Sequence, residues 1–300
     1  PGRRLALRNQ SFTVLAAPEE TRLADEPCEL VAIHPSRIDR IEIGPHAEAT
    51  LAAQRHALAH AIPIAFVDGH GATHGHLAPV LAPRAGRHWA QAKAALDPAR
   101  RLELARSIVE GRIANQRSLL RRINHRRGLP EVDDVATRLG RILRKPSVAG
   151  SVDVCLGVEG EAAALYWKAW GRLLLGGFSF GPRKRRENSD PVDIALDVLS
   201  GQLTRDIGAV LLSVGLHPGF GVLHSVSDAH DACVYDLMEE FRAGLVESVV
   251  LTAVNGSRLR HEMFTRQPDG RMYMARAGMA ALLRAYEERA ERAVTSPRSG

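Results

Sequence analysis

The spacing of apolar residues changes near residue 84, and this change limits the folds that are open to the chain. Before that point, apolar residues alternate with polar ones or form short runs, a pattern that favours short β-strands. After Pro83 they recur at helical spacing almost to the end of the chain. The sequence therefore predicts an α+β protein with a small β domain over 1–80, a linker over 81–88 and a larger all-α domain over 89–300.

The first part of the chain contains five segments that predict strands, because each combines β-forming residues with flanking turn residues. These segments are 5–7, 12–15, 29–33, 38–43 and 62–67. We expect one helix over 47–60 to interrupt them, with Leu51 and Leu58 on one face.

The second part contains a strong helix start at Asp190-Pro191, where Asp is a favoured N-cap and Pro a favoured first helical residue. From there, the apolar spacing predicts a helix that continues to Gly215. The same spacing predicts helices over 90–124, 231–254 and 275–293, and another that opens near Glu159.

Composition excludes several classes of protein. The 300 residues suffice for about two domains, each with its own core. Cys28, Cys155 and Cys233 lie far apart, which excludes a disulfide framework and a zinc ribbon and favours a cytoplasmic protein. No apolar run is long enough to cross a membrane, and we see no secretory signal, so no membrane partner is expected.

Positive charge is concentrated in residues 84–127. This segment has 12 Lys or Arg against 3 Asp or Glu, a net charge of +9, whereas residues 1–83 have a net charge of −2. Nearly all of the cations are arginines, which suit bidentate contact with phosphate. The segment therefore favours nucleic-acid binding, with a solvated helix face as the alternative.

Histidines are clustered near the end of the first part, where His70, His74 and His76 follow Asp68. The intervening glycines and the lack of a second ligand pair at zinc-finger spacing argue against a metal site. We expect a solvated loop there.

A better set of candidate ligands lies in the helical part and comprises Glu159, His224, Asp236 and Glu239. Asp236 and Glu239 are three residues apart on one predicted helix face, where two acids repel each other. Loss of Glu239 is therefore expected to leave the metal-free protein no less stable. Carboxylates with one imidazole suit Mg²⁺ or Mn²⁺, and such a site beside basic surface suits phosphodiester chemistry.

Five motifs in order carry a resemblance to a known family. They are 156–160 (Leu-Gly-Val-Glu-Gly), 180–183 (Phe-x-x-Arg), 190–191 (Asp-Pro), 221–224 (Gly-Val-Leu-His) and 235–242 (Tyr-Asp-Leu-Met-Glu-Glu-Phe-Arg). Together they resemble the CRISPR-associated adaptation integrase, a metal-dependent DNA endonuclease that inserts new spacers. The resemblance covers nearly the whole chain, including the order of a β domain followed by a helical domain.

The resemblance implies a catalytic metal site. Its ligands would be Glu159, His224 and Glu239, with Asp236 as a neighbouring acid and Mg²⁺ or Mn²⁺ as the cofactor. The implied reaction is insertion of short DNA spacers into a CRISPR array, by attack of a 3′-OH on repeat phosphodiesters, in antiviral defence. The basic segment and the resemblance together predict these DNA-binding residues: Arg121, Arg122, Arg126, Arg183, Lys184, Arg185 and Arg186.

The resemblance also implies partners. They are double-stranded spacer and repeat DNA, a second copy bound through the β domain, and a small ferredoxin-like protein that bridges two dimers. The net negative charge of residues 1–83 fits self-association better than DNA binding. Some members are fused to a reverse transcriptase or an exonuclease domain, and the lack of an initial Met is compatible with such a fusion.

Four residues depart from the family pattern, and two alternative functions stay open. Glu187, Asn188, Asp193 and His217 leave the ligands intact but alter the surroundings in which the family contacts DNA. The first alternative is a stand-alone, structure-specific, metal-dependent DNA nuclease in repair. The second is a non-catalytic DNA-binding scaffold.

Overall fold

The structure is a computed structural model of the 300-residue chain. It describes residues 2–16, 28–69, 73–79, 84–181, 190–228, 230–268 and 270–292. The chain divides into two compact units, an N-terminal unit (Pro1–Pro83) and a C-terminal unit (Arg84–Gly300). The strand-rich part precedes the helical part, as the sequence predicts, while the roles expected of the two units stay predictions.

The N-terminal unit contains two small sheets. Their strands are β1 (Arg3–Arg8), β2 (Ser11–Leu15), β3 (Glu29–Ile33), β4 (Ile41–Ile43), β5 (Ala47–Ala49), β6 (Ile64–Val67) and β7 (Thr73–Leu77). One sheet has the order β3-β2-β1-β5, and the other has the order β4-β6-β7. The β1–β5 and β4–β6 pairs are parallel and the others are antiparallel.

The helix of this unit, α1 (Leu51–Ala59), starts where Thr50 caps it. The Thr50 hydroxyl oxygen accepts a hydrogen bond from the N–H of Ala53 at 3.2 Å, which satisfies one of the unpaired N–H groups of the first turn. The helix packs its alanine face into a core that joins residues of both sheets. The buried members are Phe12, Ile43, Ala53, Ala57, Ile62 and Ile64.

Three local predictions for the first part are wrong. The helix expected over 47–60 starts only at Leu51, because residues 47–49 form β5 against β1. The strand expected over 38–43 shortens to β4, because Pro35–Arg37 form a 3₁₀ turn before it. His74 and His76 lie on β7, paired with β6, and not in a loop, while His70 lies outside the described residues.

The C-terminal unit is mainly helical. Its helices are α2 (Ala85–Leu96), α3 (Pro98–Asn124), α4 (Pro130–Ile142), α5 (Val152–Arg172), α6 (Pro191–Ser213), α7 (Ala232–Arg242), α8 (Ser248–Asn255) and α9 (Arg276–Ala290). A π-helical turn, Ala243–Glu247, joins α7 to α8. Across the described part of the chain, no helix is both long and apolar enough to cross a membrane.

Helix α3 is the centre of this unit and packs against α4, α5 and α7. Val109, Ile113 and Leu120 are fully buried along it, at the helical spacing that the sequence predicts. Tyr166 and Trp170 of α5 are the largest buried side chains in the same core. The central position of α3 places its polar residues between α5 and α7 as well.

The helical predictions need two corrections. The helix expected over 90–124 is two helices, because Asp97 caps α3 and accepts N–H groups from Ala99 at 2.9 Å and Arg100 at 3.3 Å. The unit is also not all-α, because β8 (Phe264–Arg266) and β9 (Met272–Met274) form an antiparallel hairpin. The helix start at Asp190-Pro191 is confirmed.

We expect Asp97→Ala to lower the free energy of unfolding by about 1 kcal/mol, because the first turn of α3 loses its acceptor. Urea denaturation monitored by circular dichroism measures this change. Ser118→Ala, at an exposed position on the same helix, is the control and should change stability by less than about 0.5 kcal/mol. Equal stability of both variants would show that the cap contributes nothing.

Candidate active site

Two predicted ligands, Glu159 and Glu239, meet at one arginine that the sequence analysis did not single out. Glu159 lies in the second turn of α5, Glu239 lies on α7, and Arg112 lies midway along α3. One guanidinium nitrogen, Nη1 of Arg112, contacts Oε1 of Glu159 at 2.8 Å and also forms an ion pair with Oε2 of Glu239. The packing of three helices therefore brings two carboxylates and one cation together.

These ion pairs are largely shielded from water. The side chains of Arg112, Glu159 and Glu239 are 9%, 18% and 8% exposed. Desolvated charges of this kind are costly unless each has a close partner, so removal of one member strongly disfavours the folded state. The cluster has one cation for two carboxylates and thus keeps an excess of negative charge.

The third predicted ligand, His224, is held in one orientation by Asp236. The ring nitrogen Nδ1 of His224 lies 2.8 Å from Oδ1 of Asp236. Because an ionised carboxylate only accepts hydrogen bonds, Nδ1 carries a proton, and in the neutral ring Nε2 keeps its lone pair. This is the usual arrangement of a metal-binding histidine, whose second nitrogen donates to a carboxylate.

Asp236 also fixes the backbone that carries His224. Its two oxygens accept the N–H groups of Val222 at 2.5 Å, Leu223 at 3.0 Å and His224 at 2.9 Å. A side chain at Gly221 would meet Cβ of Ala232 at 2.6 Å, so only glycine allows this approach to α7. Asp236 is therefore a positioning residue.

The hydrogen bond between His224 and Asp236 shifts the pKa of both groups. The hydrogen bond to Asp236 raises the pKa of His224 against the opposing effect of burial, and the charges of Glu239 and Glu159 add to the rise. Burial alone would raise the pKa of Asp236, but the hydrogen bonds from the His224 ring and three backbone N–H groups lower it. Both carboxylates thus lie within electrostatic reach of the imidazole.

Tyr166, Arg242 and Glu247 form a second set of largely buried polar side chains. The hydroxyl of Tyr166 on α5 donates to Oε2 of Glu247, and Nε of Arg242 lies 3.6 Å from Oε1 of the same carboxylate. Arg242 follows Glu239 by three residues, and its guanidinium lies over the ring of Trp167. Glu247 belongs to the π-helical turn, so this irregular turn carries a buried charge close to the site.

The donor set fits Mg²⁺ or Mn²⁺ in kind, because it offers two carboxylates and an imidazole nitrogen. Arg112 Nη1 marks a point on which oxygens of both carboxylates already converge. No group of three His, Cys, Asp or Glu side chains in the described ranges lies as close together as the ligands of one ion. The assignment of Glu159, His224 and Glu239 as metal ligands therefore stays a prediction.

The structure does not favour the expectation that Glu239 and Asp236 destabilise each other. Glu239 is paired with Arg112, whereas Asp236 is occupied by His224 and by backbone N–H groups. Each acid has its own cationic or N–H partner. Their spacing on α7 alone therefore does not determine how they affect stability.

The arginines of segment 84–127 divide into two groups. Arg121, Arg122 and Arg126 are exposed at or just beyond the end of α3. Others bind acceptors within the helical unit. These are Arg101 on the carbonyl of Val222, Arg106 on that of Ala149, Arg112 on the carboxylates and Arg117 on the carbonyl of Ala136.

Arg183, Lys184, Arg185 and Arg186 lie outside the described residues, as do Glu187 and Asn188. The other two departures from the family pattern have local roles. Asp193 accepts the N–H of Asp190 through Oδ2 at 3.2 Å, at the start of α6. Nδ1 of His217 accepts the N–H of Gly219 at 3.0 Å and so stabilises its own turn.

Arg112 is the site residue that sequence reasoning missed. The signal was available, since Arg112 lies between Val109 and Ile113 on the apolar face of α3. A cation on a buried helix face requires a buried anion. The net charge of residues 84–127 includes Arg112 but does not show that its side chain is buried.

The fold and the site define a two-unit protein whose helical unit carries two largely buried carboxylates on one arginine and a histidine held by an aspartate. The family described as CRISPR associated protein Cas1 matches residues 1–288. A CRISPR-associated endonuclease Cas1 of Rhodospirillum rubrum is 33% identical over 242 residues, which span 77% of this chain and 70% of that protein. A Cas4 exonuclease/Cas1 endonuclease fusion of the same organism is 31% identical over 310 residues, which span 99% of this chain and 50% of the fusion.

Two solved structures share the fold. A casposase bound to its integration product superposes with a TM-score of 0.80 at 21% identity, and the match covers 99% of this chain and 82% of that one. A Cas6-RT-Cas1–Cas2 complex contains a chain that superposes with a TM-score of 0.75 at 22% identity, and the match covers 98% of this chain and 32% of that one.

The chain belongs to the Cas1 family. The resemblance stated from the sequence motifs is therefore confirmed, and so is the prediction of a CRISPR spacer integrase and endonuclease at the level of the family.

We expect Glu239→Ala to destabilise the metal-free protein by about 3 kcal/mol or more, because buried Arg112 loses a partner. Urea denaturation in EDTA measures the change. Glu161→Ala is the matched control, since its ion pair with Lys145 is about half exposed and should contribute less than about 1 kcal/mol. A Glu239→Ala variant as stable as the parent would restore the repulsion argument.

Proposed function

We propose that the protein is a metal-dependent DNA integrase and endonuclease that inserts short DNA spacers into a CRISPR array. The observation that carries the proposal is the convergence of Glu159 and Glu239 on one point of the helical unit, within electrostatic reach of His224. Membership of the Cas1 family supports the same reaction.

Glu159, Glu239 and Nε2 of His224 would hold Mg²⁺ or Mn²⁺. When bound, such an ion supplies positive charge to the phosphodiester that reacts. Asp236 keeps a proton on Nδ1 of His224, so that in the neutral ring Nε2 is the nitrogen left to bind the ion. The carboxylates of Glu159 and Glu239 are already largely desolvated and held close together by helix packing.

DNA supplies the other reactant. For integration, the 3′-OH of spacer DNA attacks a repeat phosphodiester, and the 3′ oxygen of the repeat strand leaves as the new P–O bond forms. For cleavage, water attacks instead, and no side chain has to act as a nucleophile. The exposed arginines Arg121, Arg122 and Arg126 bind backbone phosphates and hold the DNA while the site acts.

The proposal includes partners. They are double-stranded DNA, a second copy bound through the N-terminal unit, and a small ferredoxin-like protein. The fused relative and the Cas6-RT-Cas1–Cas2 complex support attachment to an exonuclease or a reverse transcriptase. Three free cysteines favour a cytoplasmic location.

The proposal is tested by substitutions at the three ligands. Glu159→Gln, His224→Ala and Glu239→Gln should each reduce strand transfer at least about 100-fold in Mn²⁺, because each removes one ligand. DNA affinity should stay within a few-fold, because exposed arginines supply it. The assay measures joining of a labelled 3′-OH duplex to supercoiled repeat DNA, and Glu161→Gln is the control. Normal joining by any ligand variant contradicts the proposed site.

The same assay separates the two alternatives. A stand-alone nuclease cuts branched DNA but does not join a 3′-OH end to repeat DNA. A scaffold binds DNA and does neither at any Mn²⁺ concentration.

Exposed arginines should control the salt dependence of DNA binding. We expect Arg121→Ala with Arg122→Ala to weaken binding to unrelated sequences equally and to reduce the slope of log K against log salt by about 1–2. Fluorescence anisotropy at several salt concentrations measures both quantities. Arg117→Ala is the control, since its guanidinium binds the carbonyl of Ala136. An altered sequence preference with an unchanged slope contradicts phosphate contact.

The N-terminal unit should mediate self-association. We expect the full chain to sediment as a dimer at tens of micromolar and a fragment over 84–300 to sediment as a monomer. Circular dichroism confirms that the fragment keeps its helices. A monomeric full chain, or a dimeric folded fragment, contradicts this role of residues 1–83.

A further inference from the structure

We propose that Arg112 is a resident counter-cation of the metal site, which must release at least one of its two carboxylates before a divalent ion can bind. The inference rests on the proposed function, because it assumes that Glu159 and Glu239 are metal ligands. It assigns to a buried arginine the control of metal affinity.

The first argument is geometric. Oxygens from α5 and α7 converge on a single nitrogen, Nη1 of Arg112, and not on two ends of the guanidinium fork. Arginine usually meets a carboxylate with two nitrogens. Convergence of oxygens from different helices on one point is what a divalent ion requires of its ligands.

The second argument is electrostatic. Without a cation, Glu159 and Glu239 would be two adjacent carboxylates with 18% and 8% of their side chains exposed. Such a pair is unstable in a desolvated setting. Arg112 therefore stabilises the metal-free fold and keeps the ligands assembled.

The third argument is competition. A divalent ion bound at the point that Nη1 of Arg112 now occupies would displace the guanidinium, and their like charges repel at short range. The free energy of breaking the arginine pairs is subtracted from that of metal binding, because the two equilibria are linked.

The neighbourhood offers the released guanidinium another anion. Burial raises the pKa of Glu247, and Arg242 and Arg112 both oppose that rise, so Arg112 lies within electrostatic reach of this carboxylate. Tyr166 and Arg242 are the other groups that face Glu247.

The test measures Mn²⁺ binding directly and does not depend on activity. Full-length protein is stripped with EDTA, and its Kd for Mn²⁺ is determined by isothermal titration calorimetry at constant pH and salt. The variants are Arg112→Gln, which removes the charge, and Arg112→Lys, which keeps the charge but loses the planar fork. Arg117→Gln is the matched control, since it removes an arginine of the same helix that binds a backbone carbonyl.

We expect Arg112→Gln to bind Mn²⁺ about tenfold more tightly than the parent chain, with a lower melting temperature in EDTA and a larger rise on Mn²⁺ addition. The Kd of Arg112→Lys for Mn²⁺ should lie between those of the parent chain and Arg112→Gln. This variant provides the measurement if Arg112→Gln does not fold. Arg117→Gln should change the Kd by less than about twofold.

Equal or weaker Mn²⁺ binding by the folded Arg112 variants overturns the inference and assigns Arg112 to ligand positioning. Failure of the proposed function looks different. In that case the parent chain does not bind Mn²⁺, or binds it equally well after Glu159→Gln and Glu239→Gln.

Discussion

The ion pairs of Arg112 with Glu159 and Glu239 are the interaction on which the helical unit depends. They join α3, α5 and α7 at a point that is nearly closed to water. Two acids could not be buried side by side without a cation, and a cation could not be buried on α3 without the acids. The same contacts therefore fix the packing of three helices and assemble the candidate metal ligands.

Sequence motifs predicted the candidate ligands but not the cation that joins two of them. Glu159, His224 and Glu239 were recognised because short motifs of fixed order surround them, and their chemistry suits one ion. The net charge of +9 over residues 84–127 includes Arg112, but a count of charges does not show which side chains are buried. Arg101 and Arg117, counted in the same way, bind backbone carbonyls inside the unit.

Sequence patterns predicted secondary structure correctly where contacts close in sequence determine it. The helix that begins at Asp190-Pro191 formed as expected, because capping is decided within one turn. The sequence predicts that residues 47–49 are helical, but they form β5. Their pairing partner, β1, is distant in sequence, so a local pattern does not reveal the pairing. His74 and His76 became strand residues for the same reason, through pairing with β6.

The acids of α7 show why spacing alone cannot assign a role. Asp236 and Glu239 are one turn apart, and on an isolated helix they would only repel. In the fold, Asp236 reaches the turn that carries His224, whereas Glu239 reaches Arg112 on α3. One carboxylate therefore fixes the orientation of the imidazole and the other faces the candidate metal position. The different roles of these two acids therefore follow from their tertiary partners and not from their positions on the helix.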